Sequence, residues 1–579
     1  MSESEKNKEL FRLKKEIDRL KKSVKKQRYG LVWMDIPEAF EDDVENKLPI
    51  LKEVPDLAIK NDDGKPQHIL IEGNNYHALT CLNYTHKGKI DVIYIDPPYN
   101  TGSDGFRYKD KRIISKFPDG TEVPKDHPFR HSYWLSFMRK RLELSWDLLR
   151  DGGTIFISID DNEVAQLKLL GNEIFREKNF VGQWNWFKSA TPPNLSHKIK
   201  KNVEYILAYE KNKNNLKYRG IKKSSKSDDP ITKPQNSLKI LKFPPLSINF
   251  KLKDSKIKTG IYGTDKYPNK LLNELIIENG KNKNEVSFEN RFVWTQNKLL
   301  EELKNETVIN CSKSLVISYK KSNYSEEVPP NLIDDTVGVD TTEESGKALT
   351  DMFGKKVFDY PKPISLMKYL ISFKPEIKDS GIILDFFAGT GTTGHAVLDL
   401  NSNNSKYQFI LVTDDENNIC TDVCLPRLKK AIKGYKGKIS NKSFEPLGNS
   451  LKYYKTAFIG KNNILAVNDE DKIELAHNAG ELLAIAENTL ELVKQTKYYQ
   501  LFENNLKERS TTVYFREELD QFDKFVEMVE KLNKKTTVYV FSWGNDEFID
   551  EFEDIKNVKV KTIPLPILEI YKNIYNLEN

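Results

Sequence analysis

The chain has 579 residues, with 91 Lys and Arg against 85 Asp and Glu and a formal net charge of +6. That length exceeds one ordinary domain, and an 11% aromatic content can fill several cores, which excludes a disordered polymer. No apolar run approaches a membrane span and the first residues (MSESEKNKEL) carry no apolar signal segment. The four cysteines (Cys81, Cys311, Cys420, Cys424) are too few for a disulfide scaffold, so no membrane contact and a cytoplasmic location are expected.

Residues 4–27 predict a helix, because Leu10, Leu13, Ile17, Leu20 and Val24 fall on one seam with charged residues between them. An α/β rhythm begins near residue 68. His68–Gly73 reads as a strand and turn, Tyr76–Leu82 as a helix, and Asp91–Asp96 as a buried strand stopped by Pro97 and Pro98. Ser132–Leu149 predicts a helix that ends at Asp151-Gly152-Gly153, and Thr154–Asp160 a strand; Asn202–Tyr209 is a further strand candidate. Apolar strands alternating with helices point to a parallel sheet. From about 190 to 345 the rhythm is lost and Lys, Asn, Ser and Pro dominate, as expected of an inserted domain. Between 181 and 270 there are 20 Lys and Arg against 6 Asp and Glu, a surplus that can follow a phosphate backbone. The rhythm returns with a helix over 364–371 and strands over 381–385 and 407–413. The last stretch predicts a helix over 469–508 and strands over 512–515 and 537–541. With 15 Lys and Arg against 23 Asp and Glu from 461 to 579, it suits contact with protein better than with DNA.

Residues 381–397 read GIILDFFAGTGTTGHAV. A strand ends in Asp385, and a glycine-rich turn leads into a helix whose first N–H groups are free to bind a ligand. Gly389-x-Gly391-x-x-Gly394 matches the dinucleotide fingerprint, and Asp414 lies where a ribose-binding acid belongs. A nicotinamide-dependent oxidoreductase is therefore one reading. The flanks suggest another. Asp385-Phe386-Phe387-Ala388-Gly389-Thr390-Gly391-Thr392-Thr393 resembles the F-x-G-x-G loop of amino-methyltransferases that use S-adenosylmethionine. There the loop holds the methionine end of the cofactor, and an acid after the second strand holds the ribose. Asp414, Asp415 and Glu416 all qualify by spacing.

Asp96-Pro97-Pro98-Tyr99-Asn100 follows directly from the strand 91–96. Two prolines remove backbone donors and leave carbonyl acceptors, and Asp96 adds a carboxylate at a strand's C-terminal end. This set suits the exocyclic amine of an extruded base. Asp96 and the Pro97 carbonyl accept its two N–H groups, and Tyr99 stacks on the ring. Trp184, Trp186 and Phe187 either contact DNA or fill a core. Cys420 and Cys424 share a helical spacing but lack further ligands, so no metal is expected.

With D-P-P-Y before the F-x-G-x-G loop and a long insertion between them, the chain resembles the β-class DNA amino-methyltransferases. It is most similar to the Mod subunits of type III restriction-modification systems. RYGLVW at 28–33, IDVIYIDPPYNTGSDGFRYKD at 90–110, the stretch 131–175, YPKP at 360–363 and LKYYKTAF at 451–458 carry that likeness. It implies a Rossmann-like α/β methyltransferase sheet in two segments, 61–211 and 351–440. A target recognition domain lies between them at 212–350. An N-terminal helix and extension occupy 1–60, and a small α+β protein-interaction domain occupies 441–579. It implies S-adenosylmethionine as cofactor and the N6 amino group of a flipped adenine in double-stranded DNA as target. Asp96, Pro97, Pro98 and Tyr99 are then catalytic. Asp385, Phe387, Ala388, Gly389, Gly391, Thr392, Thr393, Asp414 and Glu416 hold the cofactor, with Lys362 and Pro363 bordering it. A Mod homodimer and an ATP-dependent restriction (Res) subunit are the implied partners. Remaining alternatives are a stand-alone adenine-N6 or cytosine-N4 methyltransferase and a catalytically dead DNA-binding scaffold.

Overall fold

The computed structural model describes Trp33 and residues 47–101, 131–191, 198–220, 228–264, 267–321, 327–374, 377, 379–460, 469–515, 521–541, 548–565 and 567–568. The N-terminal seam, most of RYGLVW and residues 102–110 lie outside these. The chain divides into two compact units, residues 1–217 with 330–579, and residues 218–329.

The first unit is built on a ten-stranded sheet. In chain order its strands are β1 (Lys47–Glu53), β2 (Gln67–Glu72), β3 (Ile90–Ile95), β4 (Leu149–Ile159), β5 (Phe180–Phe187), β6 (Val203–Glu210), β7 (Leu332–Ile333), β8 (Ser380–Asp385), β9 (Lys406–Thr413) and β10 (Ser450–Gly460). Across the sheet they run β1-β10-β2-β9-β8-β3-β4-β6-β5-β7. The six from β10 to β4 are parallel to their neighbours; β1 on β10, β4 on β6 and β5 on β6 are antiparallel. The sheet is thus mixed rather than parallel throughout. Its centre is apolar on both faces: Val92, Ile93, Ile95, Ile155, Ile157, Ile383, Leu384 and Ile410 are fully buried. Helices α1 (Asn75–His86), α2 (Ser132–Leu148), α3 (Val164–Phe175), α4 (Thr342–Phe353), α5 (Ile364–Ser372), α6 (Thr392–Asn401) and α7 (Leu425–Lys433) fill the connections.

Strand β3 leads on to β4, while β8 leads on to β9 on its other side. The chain therefore leaves β3 and β8 in opposite directions. Such a reversal opens a crevice beyond the carboxyl ends of the two strands, where open α/β sheets bind ligands. With Leu384 opposite Ile93, Asp385 at the end of β8 and Asp96 just past the end of β3 both lie at this edge.

Several expected boundaries shift. Residues 450–460, expected in a C-terminal domain, form β10 inside the sheet between β1 and β2, and 47–53 is the edge strand that covers it. The helix expected over 469–508 ends at Glu487 (α8, Asp469–Glu487), where Asn488 turns to φ 54°. A hairpin of β11 (Glu491–Gln495) and β12 (Tyr499–Glu503) follows. These join β13 (Arg509–Phe515), β14 (Lys535–Phe541) and β15 (Val558–Val560) in a five-stranded sheet. Its Phe515, Tyr539 and Phe541, with Leu482 and Leu483 of α8, share one continuous core with Ile69, Leu79 and Ile410.

The second unit is an all-β insertion with one helix, Gln296–Lys304, among its described residues. It has a seven-stranded and a four-stranded sheet, closed around Phe243, Leu271, Phe288, Phe292 and Leu299. Its compact limits, 218–329, are narrower than the expected 212–350, because Leu332–Ile333 and α4 already belong to the first unit.

Candidate active site

Strand β3 is stopped because neither Pro97 nor Pro98 can donate to a ladder. The indole N–H of Trp134 donates to the Pro98 carbonyl at 2.7 Å and fixes the turn. Asn100 follows at φ 59°, its side-chain amide donating to Glu163 Oε1 at 2.5 Å, and His131 Nδ1 lies 2.7 Å from the same oxygen. The buried Glu163 carboxylate thus anchors the chain just past Tyr99.

Half-buried Asp96 stands at the centre of a charge cluster whose Lys362 and Glu204 are buried. Lys362 Nζ donates to both Asp96 oxygens, each at 2.9 Å, and lies 2.9 Å from the Tyr99 hydroxyl oxygen. The Tyr99 hydroxyl is 2.6 Å from Asp96 Oδ1 and 3.2 Å from Glu204 Oε2. Lys362 Nζ is 3.2 Å from Glu204 Oε2, and Lys188 Nζ is 2.9 Å from Glu204 Oε1. Burial opposes the charge on Lys362, but Asp96 and Glu204 more than offset it, so its pKa is raised. Burial likewise works against the Glu204 carboxylate, and Lys362 and Lys188 overcome it, so its pKa is lowered. Burial, with Asp96 and Glu204 nearby, pushes the Tyr99 phenol well above its usual range and keeps it neutral.

The glycine loop lies beside this cluster. Gly389 has φ 49° and Gly391 φ 75°, backbone that favours glycine, and a Cβ on Gly391 would come 2.9 Å from Cys424 Sγ. The Asp385 carboxylate turns back on its own loop, accepting from the Phe387 N–H at 3.0 Å and the Thr393 hydroxyl at 2.5 Å. Burial raises Asp385 to about 7 despite those bonds. Asn75 Nδ2 donates to the Phe386 carbonyl at 2.9 Å, while Asn75 Oδ1 accepts from Arg141 Nε at 2.6 Å. Behind the loop, the buried Arg427 Nη1 donates to the hydroxyls of Thr392 at 2.8 Å and Thr390 at 3.0 Å. Among the described residues no carboxylate forms an ion pair with it. Thr392 opens α6, so N–H groups of its first turn, the two threonine hydroxyls and a buried cation all lie at this loop.

Beyond β9, Asp415 accepts from the Thr421 N–H at 3.0 Å, whereas Asp414 and Glu416 are solvent-exposed. Lys362, expected to border the cofactor, contacts Asp96, and Pro363 precedes α5 as its cap residue. Trp184 and Trp186 are core residues, 6% and 0% exposed, so they are not available to stack on DNA. Cys420 and Cys424 are buried thiols, and no cluster of metal-ligating side chains occurs among the described residues. Glu204, Lys188, Glu163 and Arg427 belong to no motif. The one sequence signal is Glu204, a charge just ahead of the uncharged run YILAY; Arg427 shares its helix with Lys429, Lys430 and Lys433 and carries none.

The family profile described as "DNA methylase" matches residues 90–424, more than half of the chain. The type III restriction-modification enzyme StyLTI Mod subunit of Salmonella typhimurium is 33% identical over 378 residues, 61% of this chain and 53% of that protein. The EcoP15I Mod subunit of Escherichia coli is 34% identical over 396 residues, 60% of this chain and 59% of that one. The type II methyltransferase M.KpnI of Klebsiella pneumoniae is 31% identical over 349 residues, 57% of this chain and 76% of that protein. The matched regions thus span between half and three fifths of the two Mod subunits. The profile runs through both the Asp96 turn and the glycine loop, which sets aside the dinucleotide reading of Gly389–Gly394. With both motifs in order at the carboxyl ends of neighbouring strands, the chain belongs to the DNA methylase family.

Proposed function

We propose that this protein transfers a methyl group from S-adenosylmethionine to the N6 amino group of adenine within a specific sequence of double-stranded DNA. It does so in the cytoplasm, as the modification and recognition subunit of a type III restriction-modification system. The observation that carries the reading is the placement of Asp96-Pro97-Pro98-Tyr99 and the glycine loop on adjacent parallel strands. The Mod similarity supports the type III assignment, and with it a Mod homodimer and a Res partner. The M.KpnI similarity, which spans most of that protein, favours a stand-alone methyltransferase as the second reading.

The loop residues fit this cofactor. Asp385, Phe387, Ala388, Gly389, Gly391, Thr392 and Thr393 would hold its methionine end, where an anionic carboxylate meets the α6 N-terminus and the hydroxyls backed by Arg427. Asp414 and Glu416 would reach the ribose. When bound, the cofactor supplies an electrophilic methyl group on a positively charged sulfur. The chain's own residues prepare the nucleophile. Adenine's amine is conjugated with its ring and attacks poorly. Trp134 already occupies the Pro98 carbonyl, so the Pro97 carbonyl and the Asp96 carboxylate accept the amine's two N–H bonds. That draws the nitrogen lone pair out of the ring and aims it at the methyl carbon. Asp96, already accepting one of the amine's N–H bonds, would take the proton that the nitrogen gives up on gaining the methyl group. Tyr99 gives the flipped base a flat neutral face.

The test is to sequence DNA from cells expressing the protein or its Asp96→Ala variant with a method that resolves methylated adenine. One fully modified motif that disappears in the variant is the expected result. Unmodified DNA from the wild type, or persistence of the mark in the variant, would refute the assignment.

A further inference from the structure

We infer that Lys362 caps Asp96 while no base is bound, and that Glu204 draws it away when the target amine enters. The inference rests on the function proposed above. Asp96 must accept an N–H from the amine, yet both of its oxygens already accept from the Lys362 ammonium at 2.9 Å, and Tyr99 adds a bond at 2.6 Å. A cation held there also opposes catalysis, because the attacking nitrogen gains positive charge as it takes the methyl group.

The structure offers these two donors the same second acceptor. Lys362 Nζ and the Tyr99 hydroxyl each lie 3.2 Å from Glu204 Oε2. Moving from Asp96 to Glu204 therefore needs a shift shorter than one hydrogen bond, with the ammonium never leaving a carboxylate. Glu204 is fixed for this role. It sits on β6, between β4 and β5, it is 7% exposed, and its other oxygen is held by Lys188 at 2.9 Å. Two carboxylates and two ammonium groups are neutral together; once Lys362 has shifted, the Asp96 carboxylate, 28% exposed, holds the amine N–H in place of its cation. Glu204 and Lys362 are positioning residues in this scheme, acting on Asp96 rather than on the base.

Glu204→Gln, Lys362→Met and the double variant test it, in single-turnover methylation of a duplex carrying the motif found by sequencing, with S-adenosylmethionine binding measured alongside. Glu204→Gln should slow methyl transfer by at least about tenfold while cofactor affinity stays within about twofold, because Lys362 is then held on Asp96. Adding Lys362→Met removes the cap and should recover part of that rate. A double variant no faster than Glu204→Gln would overturn the inference. If Glu204→Gln fails to bind cofactor, Glu204→Asp replaces it; a slowed rate relieved by Lys362→Met again supports the scheme, and an unrelieved one overturns it. A wild type that methylates no base would overturn the proposed function itself, and this inference with it.

Discussion

Asp385 is the residue whose chemistry is most sensitive to conditions. Burial raises its carboxyl to about 7, so it is largely protonated in mildly acidic buffer and ionised above neutrality. A bound sulfonium cofactor carries net positive charge and favours the ionised form. Affinity for S-adenosylmethionine should therefore rise as pH increases, by up to about tenfold between roughly pH 6 and 8, and then level off. Asp385→Asn should flatten that dependence at the weaker level. Calorimetric titration at several pH values checks both expectations, and a profile unchanged by the substitution would remove Asp385 from the site. The sign for stability is opposite to that of a salt-bridged carboxylate. With a folded pKa above the unfolded one, Asp385 costs stability progressively as pH climbs from about 4 to 7. Asp385→Asn should accordingly gain in melting temperature relative to wild type across that range.

At the scale of elements, the glycine loop is constrained unequally along its length. Gly391 combines φ 75° with a Cβ position 2.9 Å from Cys424 Sγ, whereas at Gly389, φ 49°, the nearest atom to a Cβ would be 3.9 Å away. Gly391→Ala should cost about 1–3 kcal/mol and weaken cofactor binding, and Gly389→Ala should cost less, about 1 kcal/mol. Thermal melts of the two variants rank them; a reversed order would contradict this account of the loop. The loop was legible in the sequence because glycine at such positions leaves few alternatives, and Asp96-Pro97-Pro98-Tyr99 because two successive prolines stop a strand where they stand. The supporting charges were not. Glu204 and Arg427 lie in helix and strand patterns that only predict burial, and whether a buried charge is compensated depends on partners far away in the chain, such as Lys362 for Glu204. Trp184 and Trp186 show the converse limit. The sequence left them between DNA contact and a core role, and alternation along β5 turns both into the core.

On the scale of the whole molecule, domain limits were legible where composition changes and illegible where pairing is distant. The insertion announced itself by losing periodicity. Strand β10 did not, because it joins β2 across almost four hundred residues of sequence, Gln67 opposite Ser450. Two deletions separate these cases. Within the insertion, the Gly220 N–H donates to the Glu327 carbonyl at 2.6 Å, so its two ends already meet. Replacing residues 221–326 by a short Gly/Ser linker should leave a folded protein that binds cofactor and no longer methylates a specific motif. Ending the chain at residue 440 removes β10 from the interior of the sheet, together with Phe515 and Phe541 of the shared core, and should abolish cooperative folding. Circular dichroism melts and cofactor titration distinguish the two; a stable protein ending at 440 would contradict the single-core description.

The central claim is that Asp96 directs methyl transfer to the exocyclic amine of adenine. The most direct measurement is nucleoside mass spectrometry of DNA incubated with purified protein and isotopically labelled S-adenosylmethionine, with cofactor binding measured on the same preparations. The account predicts labelled N6-methyladenine from the wild type and none from Asp96→Ala, which still binds cofactor. Labelled N6-methyladenine at wild-type levels from Asp96→Ala, or a label found only on cytosine, would contradict it.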